Sequence, residues 1–155
     1  MIGTASPTGA ETELRARIGV QGPITFAEFM DVALYWPHGG YYSTTRAFGP
    51  GGDFYTAPLT HPVFGALIAQ QLLRMWSALD HISPFTVVEL GAGSGRLALD
   101  VAIETPKLAP RFGDTMRYVA VDRHPAPPGY DGEWVASDRG PKIQGAGVIL
   151  ANELL

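Results

Sequence analysis

Apolar positions follow a helical rhythm in the first half of the chain and short unbroken runs in the second. Phe26, Phe29, Met30, Ala33 and Leu34 recur at i, i+3, i+4, i+7 and i+8, one face of a helix. Thr25 and Glu28 precede them at the spacing of a capping box, in which a hydroxyl and a carboxylate satisfy each other's backbone N–H groups. Pro37 and Gly39-Gly40 close that helix. Thr60 or His61 opens a second one, with Pro62 in its first turn. Ile68, Leu72, Met75, Trp76 and Leu79 form its stripe, expected to be buried, and Ser83-Pro84 breaks the chain. From there the pattern changes. Phe85 to Leu90 is a β-branched apolar run, expected to be a strand covered on both faces. A glycine-rich loop, Gly91 to Gly95, follows directly. A helix is expected from Arg96 to about Glu104, stopped by Pro106. Further strands are expected at Arg117 to Val121, ending in Asp122, at Trp134 to Ala136, and at Gly147 to Ala151.

Strand, glycine loop, helix and three more strands describe the first half of a doubly wound α/β sheet, with an N-terminal helical segment before it. The strand order expected is 3-2-1-4. Residues 1–20 read as a flexible lead-in, with at most a short helix from Glu11 to Ile18 closed by Gly19. Residues 21–84 read as a helical and loop segment packing on the sheet, with a long Gly-, Pro- and Tyr-rich loop over 37–59. Residues 85–155 read as the α/β half-domain, truncated at its C-terminus. The strand at 147–151 is then left at a bare edge, so a missing C-terminal half or a second copy is expected to cover it.

Composition narrows the function classes. Of 155 residues, 46% are hydrophobic, which argues against disorder. The net charge is −4 and no basic stripe occurs, so nucleic acid is not expected as a partner. Without cysteine, disulfides, thiolate metal sites and cysteine nucleophiles are excluded. The four histidines show no ligand spacing, and no metal is expected. No run of 18 apolar residues marks a membrane span. Met1 to Glu13 carries two acidic residues and no basic one, unlike a secretion signal or a transit peptide. A cytoplasmic location is the resulting expectation.

The candidate chemistry sits in Glu89-Leu90-Gly91-Ala92-Gly93-Ser94-Gly95, with Asp122 ending the next strand. Glycines let the backbone turn sharply and come close to a ligand. The following helix start favours an anionic group. A carboxylate at Asp122 can accept from both hydroxyls of a ribose. Together these residues describe a site for a nucleoside-containing cofactor. A nicotinamide dinucleotide fingerprint requires a small third residue where this chain has Arg96. No Gly-Lys-Ser/Thr follows for a P-loop, and Ala92 and Arg96 flank Ser94 where a nucleophile elbow needs glycines.

E-x-G-x-G-x-G resembles the first motif of class I S-adenosylmethionine methyltransferases. The resemblance extends to the MidA-like methyltransferases. It is carried by Tyr35-Trp36-Pro37-His38-Gly39-Gly40-Tyr41-Tyr42-Ser43, Gly52-Asp53-Phe54-Tyr55-Thr56-Ala57-Pro58, Val63-Phe64-Gly65, Asp100, Val121-Asp122 with Pro125, Trp134 with Ser137, and Ala151-Asn152-Glu153-Leu154-Leu155. The mitochondrial members of that family are protein arginine methyltransferases that help assemble respiratory complex I. The resemblance implies a Rossmann-like sheet and S-adenosyl-L-methionine as cofactor. It would be held by Glu89, Gly91, Ala92, Gly93, Gly95 and Asp122. A protein substrate, methylated on arginine, is implied as well. Departures are Ala92 and Ser94 for the usual Pro and Arg, Leu59 and Ala66 for two usual acids, and Asp122 for the usual Glu. The family also continues past Asn-Glu-Leu-Leu into an Asp-Ala-Leu-Pro turn and further strands.

A sulfonium methyl is transferred by in-line displacement, so such an enzyme mainly aligns the nucleophile and excludes water. Glu153, with Asn152 beside it, is the carboxylate expected to hold a guanidinium fork near the cofactor. The blander alternative for this pair is a helix cap. Asp53 and Tyr55 are weaker substrate or lid candidates. The alternative for the whole chain is a truncated, non-catalytic binding or assembly module of the same family.

Overall fold

The computed structural model describes residues 8–44 and 56–154, in two compact units divided between Phe54 and Tyr55. The first unit contains helices α1 (Gly9–Gln21), α2 (Phe26–Tyr35) and the single turn α3 (Tyr41–Thr44). The expected lead-in is thus largely helix. Thr8 caps α1 by accepting from the Glu11 N–H, and the helix runs through Gly19 to end at Gly22, which has φ +80°. Ala10 and Leu14 give α1 its reason to order: they bury against Val32, with Ile24 and Trp36 alongside. The Arg17 guanidinium also lies 5.2 Å from the centre of the Trp36 ring.

The capping box of α2 forms as expected. Thr25 Oγ1 accepts from the Glu28 N–H at 3.2 Å, and Glu28 Oε2 accepts from the Thr25 N–H at 2.8 Å. Phe26 and Phe29 are exposed and stack on each other, while Val32 is the residue that turns inward. A two-helix contact admits only a narrow stripe of each partner, so periodicity located the apolar face but not the side that is covered.

The second unit holds α4 (Ala57–Thr60), α5 (Val63–Ala78), β1 (Phe85–Leu90), α6 (Arg96–Leu108), α7 (Pro110–Thr115), β2 (Met116–Asp122), β3 (Glu133–Ala136) and β4 (Gly147–Leu150). The strands form one parallel sheet in the order β3-β2-β1-β4, as expected. The boundary expected at 84/85 does not hold, because α5 belongs to the sheet's unit. Its Ala69, Leu72 and Trp76 share a core with Phe85 and Val87 of β1, Leu97 and Val101 of α6, and Phe112 of α7. Met75 and Leu79, expected in that stripe, are more than a third exposed. On the other face Val88, Val119 and Val121 are covered by Leu90, Val135 and Ile143.

Pro106 does not stop α6, which continues to Leu108. The proline removes one backbone donor, and the Thr105 hydroxyl leans on the Ala102 carbonyl this leaves short, at 3.5 Å. Gly147 is required by the β1–β4 pairing: a Cβ there would run into the Thr86 carbonyl. β4 stands at the sheet edge with Ile149 72% exposed.

Candidate functional site

The site grows from the carboxyl ends of β1 and β2. After Leu90 the backbone enters left-handed conformations at Gly91, Gly93 and Gly95, with φ of +72°, +55° and +70°. Only glycine takes three such steps at little cost. The N–H groups of Gly91 and Ala92 donate to the Val121 carbonyl at 2.9 and 3.0 Å, and the Gly95 N–H donates to the Ala92 carbonyl at 2.8 Å. The loop is therefore tied to β2 before α6 begins. The Gly93 N–H donates to Asp122 Oδ2 at 2.9 Å, so the acid sequence analysis singled out faces the loop.

Two of the glycines are explained by protein rather than by ligand. A Cβ on Gly91 would come within 2.8 Å of the Leu154 side chain, and one on Gly95 within 2.8 Å of the Tyr130 ring. Tyr130 lies edge-on to Trp134 at 5.1 Å between ring centres. Tyr130 was not singled out from sequence, and Leu154 only as part of the Ala151–Leu155 motif. Loop aromatics and a terminal leucine carry no periodic signal.

Glu89 is 3% exposed, at the end of β1 beneath the loop. It accepts a hydrogen bond from the Tyr118 hydroxyl at 3.0 Å. Burial pushes its carboxyl up to about 7; the Tyr118 bond pulls the other way, and the Asp122 charge adds to the rise. Burial and the Glu89 charge push the Tyr118 hydroxyl far above its ordinary range. The Asp122 side chain is 14% exposed. Its Oδ1 accepts from the His124 N–H at 3.0 Å and faces His124 Nδ1 at 3.1 Å. A buried carboxyl and a nearly buried carboxylate thus flank one loop. That acceptor set suits a ligand bearing positive charge and hydroxyl donors.

Asn152 and Glu153 lie just beyond β4. Glu153 has φ +53°, uncommon for a residue with a Cβ, and its Oε1 accepts from the Ala57 N–H at 3.3 Å, at the start of α4. The next residue, Leu154, lies against Gly91. The structure therefore brings Glu153 beside the glycine loop, where it caps a short helix earlier in the chain. Asn152 is half-buried. Asp53 and Tyr55 fall outside the described residues. On α6, Arg96 Nε donates to the buried Asp100 at 2.9 Å, and Asp100 in turn lies against Gly65 of α5. Among the described residues no cluster of His, Asp or Glu is arranged to hold a metal. No helix described is long and apolar enough to cross a membrane.

Comparison with known proteins agrees with this geometry. Residues 67–127 match the family described as "Putative S-adenosyl-L-methionine-dependent methyltransferase". The chain is 45% identical over 89 residues to the mitochondrial protein arginine methyltransferase NDUFAF7 homolog of Drosophila melanogaster, covering 57% of this chain and 20% of that protein. It is 37% identical over 102 residues to the mitochondrial protein arginine methyltransferase NDUFAF7 of Danio rerio, covering 66% of this chain and 24% of the relative. The chain thus spans about a fifth to a quarter of the length of these relatives. Among solved structures, a likely methyl transferase from Burkholderia thailandensis bound to S-adenosyl-homocysteine superposes with a TM-score of 0.72. It is 29% identical and covers 93% of this chain and 40% of that one. The cytoplasmic location expected from sequence is contradicted, since these curated relatives are named mitochondrial. The family likeness carried by the ordered motifs holds: in sequence and in fold, the chain is similar to the N-terminal part of S-adenosyl-L-methionine-dependent methyltransferases of this family.

Proposed function

We propose that the chain forms the cofactor-binding part of a MidA-like methyltransferase that uses S-adenosyl-L-methionine to methylate a protein, on arginine. The observation that carries the reading is the Gly93–Asp122 bond, which folds the glycine loop onto the end of β2 beside the buried Glu89. The likeness to a structure bound to S-adenosyl-homocysteine supports the cofactor, and the names of the relatives support the substrate.

In this reading Asp122 accepts from the ribose, while Gly91, Ala92, Gly93 and Gly95 shape the backbone against the methionine portion. Glu89 lies buried at the end of β1, its carboxyl bonded to the Tyr118 hydroxyl. The cofactor, when bound, supplies an electrophilic methyl on a sulfonium. The chain's own task is then to align a nucleophile and keep water away. Glu153 is the proposed partner for the substrate guanidinium, with Asn152 beside it. Its Oε1 is held by Ala57, and its Oε2 takes no bond among the described residues. A carboxylate so placed can hold one edge of the fork and aim a nitrogen.

Titration calorimetry of the chain with S-adenosylmethionine tests the cofactor reading. Wild type should bind and Gly93→Val should not, because a branched residue at φ +55° strains the loop and moves the N–H that Asp122 accepts. A wild-type chain that melts cooperatively yet binds no cofactor overturns the reading.

A further inference from the structure

We propose that the His124 imidazole is a side-chain gate on Asp122, bonded to Oδ1 until a ligand with a vicinal diol takes its place. The proposal rests on the reading of Asp122 as a ribose acceptor and says what that carboxylate must give up to act as one. An ionised carboxylate offers about four acceptor positions. With the His124 ring in the tautomer that carries its proton on Nδ1, three are in use: Gly93 N–H on Oδ2 at 2.9 Å, and on Oδ1 the His124 backbone N–H at 3.0 Å and Nδ1–H at 3.1 Å. One remains, whereas a diol donates two hydrogen bonds.

One of the three present donors must therefore leave, and the structure singles out which. Gly93 is fixed by the loop, whose neighbours are bonded to the Val121 and Ala92 carbonyls. The His124 backbone is fixed from both sides. Its N–H is on Asp122, and its carbonyl accepts from Trp134 Nε1 at 2.9 Å. Trp134 is itself part of β3 and meets the Tyr130 ring edge-on. The imidazole is different: the His124 side chain is 59% exposed and can leave by rotating about its own bonds. Release of the ring frees an acceptor position and leaves the loop undisturbed.

The gate makes affinity depend on the number of hydroxyls. A ligand with one ribose hydroxyl fits the position already available and has no need to displace the ring. Calorimetry of the full chain with S-adenosylhomocysteine and with its 2′-deoxy analogue separates the cases. His124→Ala should bind S-adenosylhomocysteine about fivefold more tightly than wild type, the scale of one net hydrogen bond. It should bind the 2′-deoxy analogue equally well. His124→Phe, which keeps a ring but no donor, should show the same selective gain, and thermal melts verify that both variants fold. Unchanged or weaker S-adenosylhomocysteine binding by His124→Ala, or equal gains for both ligands, would overturn the gate and leave the ribose reading standing. A folded wild type that binds neither ligand would overturn both.

Discussion

Glu89 makes the stability of this fold depend on pH with an unusual sign. Its carboxyl titrates near 7 in the folded chain against 4.5 as the ordinary value, because burial disfavours the charged form. Between those values the folded chain keeps a proton that the unfolded chain has released. Stability therefore falls as pH rises, the reverse of a paired surface carboxylate. For these two values the linkage cost is about 1 kcal/mol at pH 5 and about 3 kcal/mol at pH 8, a loss of about 2 kcal/mol across the interval. Glu89→Gln removes the titration while its amide oxygen can still accept from Tyr118. Urea unfolding of both proteins at pH 5, 6, 7 and 8, followed by tryptophan fluorescence and circular dichroism, gives the difference free of groups they share. The variant should gain on wild type by about 2 kcal/mol between pH 5 and 8. Parallel pH profiles would show that Glu89 is not held protonated by its surroundings, and the account of this site's electrostatics would fail.

Two further outcomes follow from the sheet. Gly147→Val should cost about 3 kcal/mol or more and release β4, since its Cβ collides with the Thr86 carbonyl; amide hydrogen exchange should then lose protection along Thr86–Glu89. The open edge of β4, with Ile149 72% exposed, should drive self-association at high concentration. Ile149→Lys should suppress that association in sedimentation velocity, and a wild type that stays monomeric at all concentrations would refute the edge argument.

The sheet was legible because buried parallel strands announce themselves. Phe85 to Leu90 is apolar or β-branched at five of six positions, and the structure keeps Phe85 to Glu89 below a tenth exposed. The glycine loop and Asp122 were legible for a related reason: positive φ at Gly91, Gly93 and Gly95 demands a residue type that sequence displays. Periodicity was weaker where it had to name a partner. The spacing that placed α2 did not say which of its apolar residues is covered: Phe26 and Phe29 lie outside and Val32 inside. Short helices escaped notice, since α3 and α4 are single turns within a Gly- and Pro-rich stretch.

What sequence could not supply is the way the site is closed by its own side chains. Two glycines that read as room for a ligand are occupied on their Cβ side by Leu154 and Tyr130, residues 63 and 35 positions away. Asp122 reads as a free acceptor, yet three donors from Gly93 and His124 are already on it. Glu153 reads as a free carboxylate, yet one oxygen holds the start of α4, almost a hundred residues earlier in the chain. Each is a long-range contact or a loop geometry, invisible to local spacing. The consequence is physical: a ligand entering here exchanges existing hydrogen bonds for its own. Its net affinity is then the difference between two similar sets of bonds, about 1 kcal/mol for each exchange. Substitutions that remove an internal donor should accordingly tighten binding, whereas substitutions at the glycines should abolish it by distorting the backbone that both sets of bonds require.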